Sequence, residues 1–402
     1  MILLFASMNF YPTQPERKQG LIFVAMLALL AVLLSRCEGV PAPTTGTTHP
    51  YSAMHTTQTS FIPSRSVQVA DMVDALMQNL VTRQQFSGSV LIAQDGQILL
   101  TRGYSMASWQ RSIPNTPLSR FYLGSVTKEF TAMATLILQE RGKLRVQNSV
   151  CTYVVPCPPP WQPITVHDLL THTSGIPELS TSQLSGASPA AWIASFDNVP
   201  LHFAPGSMFD YCSVCYQILA YVVQQASGVP YSQFMQQTIF TPLHMAETGF
   251  DSTIYYGDDI DANGYSSWQN SAQQLGWKMD PDWSFLFGSG LLYSSVGDLY
   301  RWDQILYTSV LVKPATLKEA FTSYTSTSLF AGSTYGYGWF ITQSPIHGHR
   351  LIWHDGVIDG FRTYIGRYVD DDITIIFLSN LASVDSLSVA QSIQRIVFAN
   401  MS

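Results

Sequence analysis

Strand-forming runs lie at both ends of this chain with a long helical stretch between them, and that arrangement constrains the fold more than any other feature of the sequence. Ser89 to Ala93 and Gln97 to Arg102 are β-rich, and Asp95-Gly96 between them is the two-residue turn that closes a tight hairpin. Arg350 to Trp353, Phe361 to Arg367 and Ile373 to Ser379 give three more strand-like runs, with Asp370-Asp371-Asp372 as the last turn. Val69 to about Gln84 carries apolar residues three and four apart and reads as an amphipathic helix, and Ser386 to Asn400 reads as a closing one. From about Ser125 to Ala226 the period is helical and the connections are rich in Pro and Gly. Strands at both ends bury their apolar faces by pairing with each other, which predicts one sheet built from both ends of the chain plus an inserted helical subdomain. A cleft between the two is the default position for a ligand.

With 402 residues, 46% hydrophobic and 12% charged, the chain is long enough for a sizeable core and too apolar for an intrinsically disordered protein. A net charge of −7 leaves no basic footprint for a phosphate backbone, so nucleic-acid binding is set aside. Arg17 and Lys18 precede an uncharged apolar run, Leu21 to Leu34, which is the length of a signal-peptide core and short of the about 20 residues that a membrane span needs. Residues 1–37 are therefore expected to be a signal peptide, or an uncleaved signal anchor, since no clean small-x-small cleavage site follows. A lipid anchor on Cys37 is disfavoured by the bulky cation Arg36 before it. Residues 38–66, rich in Pro, Thr and Ser, read as a flexible tether, leaving 67–402 as the folded part. The expected location is extracytoplasmic, secreted or membrane-anchored.

Export permits oxidation, so Cys151 and Cys157, across a short Pro-containing loop, are candidates for a disulfide. The pattern Cys212-x-x-Cys215 serves redox sites, half a zinc site or plain burial, and the lack of a second pair at finger-like spacing disfavours zinc.

There is no G-x-S-x-G elbow, H-E-x-x-H or G-x-x-x-x-G-K-[ST] loop, which removes support for elbow-type serine hydrolases, zincins and P-loop enzymes. What remains is Ser125-Val126-Thr127-Lys128 leading into the helical pattern Glu129 to Glu140. Residues three apart at a helix start share a face, which sets a nucleophile beside a candidate base. A lysine accepts a proton only when neutral, so Lys128 needs burial or a nearby cation to lower its pKa. S-x-x-K recurs by chance, but Lys128 is one of six lysines and sits in an apolar, aromatic-rich stretch where an idle ammonium is unfavourable. Tyr211, between the turn Pro205-Gly206 and a helical run from Tyr216 to Gln225, is placed to point into a cleft. A phenol with a lowered pKa beside a cation relays protons; a packing role is the plainer reading in a chain with 20 tyrosines. Trp353-His354-Asp355-Gly356-Val357 closes a strand, and a Gly there lets a substrate approach the backbone, where the next N–H faces a developing oxyanion.

In this order, Ser-x-x-Lys, Tyr-x-Ser and His-x-Gly resemble the penicillin-recognising serine hydrolases: class C β-lactamases, D-alanyl-D-alanine carboxypeptidases and related esterases. The resemblance runs from about Phe86 to Asn400 and includes Phe86 to Val90, Ile164 to Ile176, Pro205 to Tyr216, Gly290 to Trp302 and Tyr335 to Trp339. It implies an α+β, β-lactamase-like fold: an antiparallel sheet from both chain ends flanked by helices, with a mainly helical insert over roughly residues 125–280. It also implies Ser125 as the acylated nucleophile, Lys128 as base or proton relay and Tyr211 as proton shuttle. Substrate would be held by Ser213, His354, Asp355, Gly356 and Val357, with the N–H groups of Ser125 and Val357 as oxyanion hole. His172 would support the cleft, and no metal or cofactor is implied.

Two departures stand out. Ser213 occupies the place of the family's usual Asn, and Asp355 that of a Thr or Ser which helps hold a substrate carboxylate. An ionised Asp355 repels such a carboxylate unless Arg350, Arg362 or another cation compensates. The expected activity is hydrolysis of an ester, amide or β-lactam through an acyl-enzyme, with an uncharged ester or amide preferred over a β-lactam or peptide carboxylate. The competing reading is a non-catalytic relative that binds cell-wall peptide or a protein partner; a binder, however, has little reason to keep a destabilising buried amine.

Overall fold

The computed structural model describes residues 65–178, 189–250, 260–271, 281–344, 346 and 348–400. The segment expected to direct export, residues 1–37, and all but the last two residues of the tether lie outside the described residues. The hairpin forms where the Asp-Gly pair predicts it: Gly88–Gln94 (β1) and Gln97–Tyr104 (β2) are joined by Asp95 and Gly96, at φ 50° and 69°. Two successive positive φ values suit a turn that follows the strand twist.

Five further runs of the sheet come from the other end of the chain, and a sixth closes it. Thr325–Ser326 (β3), Thr334–Tyr335 (β4), Phe340–Gln343 (β5), Arg350–Ile358 (β6), Phe361–Tyr368 (β7) and Ile373–Ser379 (β8) join the hairpin in one eight-stranded sheet. Its order is β2-β1-β8-β7-β6-β5-β4-β3, antiparallel throughout. The two chain ends meet at β1 and β8, registered from Gly88 opposite Ser379 to Gln94 opposite Ile373. Strand β6 runs past Trp353, where the sequence reading stopped it: His354, Asp355 and Gly356 stay paired, opposite Ile365, Tyr364 and Thr363. Ladder hydrogen bonds to β7 carry an Asp-Gly pair that reads locally as a turn.

Alternation along the strands sorts the core onto two faces. Val90, Ile92, Ile375 and Phe377 face helices Arg65–Thr82 (α1) and Ser386–Ala399 (α4), which contribute Val73, Met77, Ile393 and Val397. Leu91, Ile352, Ile365 and Ile376 face the inserted helices Thr127–Glu140 (α2) and Ser213–Ser227 (α3). Helix α2 is buried on all sides from Thr127 to Leu138, as a central helix must be. Helix α3 ends at Gly228 in the left-handed conformation, φ 78°, which removes the penalty a Cβ would incur there.

Both cysteine pairs are disulfides, Cys151–Cys157 and Cys212–Cys215, the second at the start of α3. The Cys212–Cys215 pair is buried and, as a disulfide, offers no thiolate to a zinc ion. Among the described residues no helix is long and apolar enough to cross a membrane.

Candidate active site

Ser125 sits in the single turn Gly124–Val126 that opens into α2. Every residue from Phe121 to Leu138 is buried except Ser125, so its side chain alone reaches the surface from an otherwise apolar segment. Two glycines allow the turn to rest against β6. Gly124 has φ 55°, and a Cβ there would lie 2.7 Å from the Val357 nitrogen. A Cβ on Gly356 would lie 1.9 Å from the Leu123 carbonyl oxygen. The Thr363 hydroxyl donates to that same carbonyl at 2.6 Å, tying the turn to β7 as well. The backbone of Val357 is thereby held beside the residue preceding Ser125, while the Val357 side chain is 57% exposed.

Lys128, one turn into the same element, is fully buried, with Nζ 3.0 Å from Ser125 Oγ and donating to the Ser289 carbonyl at 2.8 Å. Burial lowers its pKa from 10.5 to about 7, against the opposing pull of the Glu178 and Asp355 carboxylates. Near neutral pH a substantial fraction of this amine is uncharged, the state a base requires.

Tyr211 lies just before α3 and packs against His172, ring centroids 4.3 Å apart with the planes tilted by 31°. Lys128 Nζ is 4.8 Å from the centre of the Tyr211 ring. The Tyr211 hydroxyl is buried and close enough to Ser125 to feel it, but completes no hydrogen bond of good geometry. The lowered phenol pKa considered from the sequence is not what forms: burial drives it well above 10, reinforced by Asp355 and Glu178. Tyr211 is a protonated phenol, a donor. His172 is neutral, its pKa pushed well below the ordinary value by burial and by Lys128, and its Nδ1 accepts the Cys212 N–H at 3.0 Å.

On the wall strand, His354 is buried between Tyr335 and its own chain. Nδ1 lies 2.6 Å from the Asp355 carbonyl and Nε2 3.1 Å from the Tyr335 hydroxyl, which fixes Nδ1 as the protonated nitrogen. Burial and Lys128 lower its pKa to about 3, so His354 presents no positive charge near neutral pH. Asp355 is partly exposed; burial of its carboxyl raises its pKa while Arg362 and Lys128 oppose the rise. Of the two cations considered as compensators, Arg362 acts on Asp355 and on Asp359 as well. Arg350 does not serve: it stands at the opposite end of β6, donating to the Phe321 carbonyl at 2.6 Å.

Ser213 is the first residue of α3, and its N–H donates to the carboxylate of Glu178, which also accepts the Val214 N–H at 3.4 Å. Glu178 was not singled out in the sequence. It follows the Ile164 to Ile176 stretch by two residues and is brought in by the orphan amides of a helix start, a contact across 35 positions. Ser289 was missed too, because a backbone carbonyl leaves no trace in a side-chain pattern. Among the described residues no group of His, Cys, Asp and Glu is arranged to hold a metal.

A family model described as Beta-lactamase matches residues 71–396. The chain belongs to the beta-lactamase family. A protein of Bacillus subtilis (strain 168) named for penicillin binding, PbpX, is 33% identical over 299 residues, covering 74% of this chain and 71% of that one. Protein flp of Staphylococcus aureus is 26% identical over 321 residues, covering 77% and 63%. Among solved structures, the octameric penicillin-binding protein homologue from Pyrococcus abyssi superposes with a TM-score of 0.72 at 25% identity, over 82% of this chain and 77% of that one. The beta-lactamase/D-alanine carboxypeptidase from Pseudomonas syringae gives 0.70 at 19% identity over 83% and 99%, a likeness of fold. The sheet closed from both chain ends and flanked by helices is the β-lactamase-like α+β fold, and the family is one of serine hydrolases.

Proposed function

We propose that this member of the family is a catalytically active serine hydrolase that forms an acyl-enzyme on Ser125 and prefers uncharged esters or amides. The observation that carries the reading is the buried amine of Lys128, 3.0 Å from the one surface-reaching residue of its segment and titrating at about 7. In the neutral state the Lys128 lone pair takes the Ser125 proton as Oγ bonds to the substrate carbonyl carbon. Charge developing on the carbonyl oxygen falls to the N–H groups of Ser125 and Val357. Tyr211 gives its proton to the leaving group, and the phenolate left behind recovers one from the new Lys128 ammonium beside it. Lys128, neutral again, takes a proton from the water that attacks the acyl carbon, and Ser125 leaves reprotonated.

Preference for uncharged substrates rests on the charges around this centre. His354 is neutral, Arg362 is shared between Asp355 and Asp359, and Glu178 adds a second carboxylate beside Lys128. A substrate carboxylate meets more negative than positive charge there. Ser213, at the mouth of α3, and the edge at Gly356 and Val357 are proposed to seat the substrate backbone. The reading extends to place: two disulfides and the apolar run at Leu21 to Leu34 favour an exported protein, with residues 1–37 as its signal peptide or membrane anchor.

Side-by-side hydrolysis of a chromogenic cephalosporin and a short p-nitrophenyl ester tests the substrate preference. Faster turnover of the ester is expected; efficient turnover of the cephalosporin overturns the preference. A fluorescent phosphonate should label the wild-type protein and leave Ser125→Ala unlabelled. No labelling at all favours a binding protein instead.

A further inference from the structure

A hollow of about 970 Å³ opens where the start of β6 and the end of β7 meet the segment after helix Val296–Ile305, and it is separate from the site above. Strand β6 connects the two: Gly356 serves the candidate active site and Ile352 lines the hollow, roughly 13 Å further along at the rise of an extended strand. Leu306, Leu317 and Phe321 supply an apolar wall, and the charged lining residues are all cations, Arg350, Lys318 and Arg367. No acidic side chain lines it among the described residues.

Arg367 sets this hollow apart from an ordinary surface depression. It is 1% exposed, its Nε paired with Asp303 at 2.5 Å and its Nη2 facing the Asp303 carbonyl at 3.4 Å. The second oxygen of Asp303 is already used, accepting from the Thr374 hydroxyl at 2.6 Å. Nη1 of Arg367 is buried and has no hydrogen-bond partner; the nearby Tyr307 phenol feels the guanidinium without satisfying it in good geometry. A buried guanidinium N–H left open is costly, and a charge-assisted hydrogen bond from an anion removes the cost. Tyr307, Phe321 and Trp339 surround the guanidinium at 4.6, 5.2 and 5.9 Å, which fixes its plane.

We infer that this hollow is a second binding site, for an amphipathic carboxylate. Its carboxylate accepts from Arg367 Nη1 once the exposed Tyr307 ring over the guanidinium swings aside, and draws on Arg350 and Lys318 at the rim, while its hydrocarbon body lies along Leu306, Leu317 and Phe321. The charge preference is opposite to that proposed for the active site, so one ligand does not suit both.

Calorimetric titration of the full chain carrying Ser125→Ala, which removes turnover, tests the site with decanoate, decanol and decylammonium. Decanoate is expected to bind one per chain, at least about tenfold tighter than decanol, the equivalent of one good hydrogen bond. Decylammonium is expected not to bind. In a Lys318→Gln background, which alters one exposed rim residue, decanoate affinity should fall about tenfold with the melting temperature unchanged. Ser309→Glu, which puts a carboxylate on the exposed rim, should have the same effect without touching that cation. Absence of decanoate binding, equal binding of decanol, or affinity unmoved by both substitutions overturns the inference.

Discussion

Two opposing fields meet at Lys128. Burial drives its amine toward neutrality, the carboxylates of Glu178 and Asp355 hold its proton on, and burial wins. Removing an opposing carboxylate therefore lowers the lysine pKa further. Glu178→Gln should move the acidic limb of the kcat/KM profile for a neutral ester to lower pH; a limb that stays put or moves up means Glu178 does not act on the base. Tyr211→Phe deletes a hydroxyl that completes no hydrogen bond, so thermal stability should barely change. Loss of the proton donor should nevertheless lower kcat by about 10²–10⁴. Activity retained within a few fold would assign Tyr211 to packing. The proximity of Ser125 and Lys128 is legible in the sequence because residues three apart at a helix start share a face, whereas Tyr211 stands out only through the family resemblance. Glu178 is not legible, because only the fold brings a loop carboxylate to the amides of a distant helix. The direction of the Tyr211 shift is also illegible, since its cause is burial rather than any neighbour in the chain.

At the scale of elements, the nucleophile turn depends on backbone contact with β6. Gly356→Ala would set a methyl 1.9 Å from the Leu123 carbonyl oxygen and 2.1 Å from the Thr363 hydroxyl. Neither neighbour has room to yield, so a loss of roughly 1–3 kcal/mol is expected, with a displaced Ser125 turn and a larger loss of activity than of stability. Gly297→Ala is the control: its nearest neighbour would be 3.9 Å away, within a helix, and it should be neutral or slightly stabilising. Chemical denaturation with parallel ester assays separates the two. The hairpin and the long central strands are readable from their β-rich runs and turn residues. Strands β3 and β4 are too short to show a period at two residues each, and β6 hides its second half behind an Asp-Gly pair.

Across the whole molecule, the sheet divides labour between its faces. Helices α1 and α4, from opposite ends of the described chain, cover one face, and helix α2, which carries Lys128, covers the other, while Tyr211 packs at the margin of the first cluster. Ile393, fully buried on α4, belongs to the face away from the chemistry. Ile393→Ala should cost about 2–5 kcal/mol of stability while leaving KM for a neutral ester unchanged. A raised KM would mean that the two faces are coupled. Closure of the sheet from both chain ends is foreseeable from where the β-rich runs lie. The cationic hollow is not, because Arg350, Lys318 and Arg367 meet only once β6, β7 and the helices beside them are assembled.

The role of Lys128 as a neutral base is tested most directly by the pH dependence of Ser125 phosphonylation by an uncharged aryl phosphonate, with loss of the aryloxide, followed by mass spectrometry of the intact protein. The rate should rise through about pH 7 and then level off, with the label on Ser125. A rise centred near 10.5, the ordinary lysine value, would contradict a neutral-lysine mechanism, as would a label on another residue.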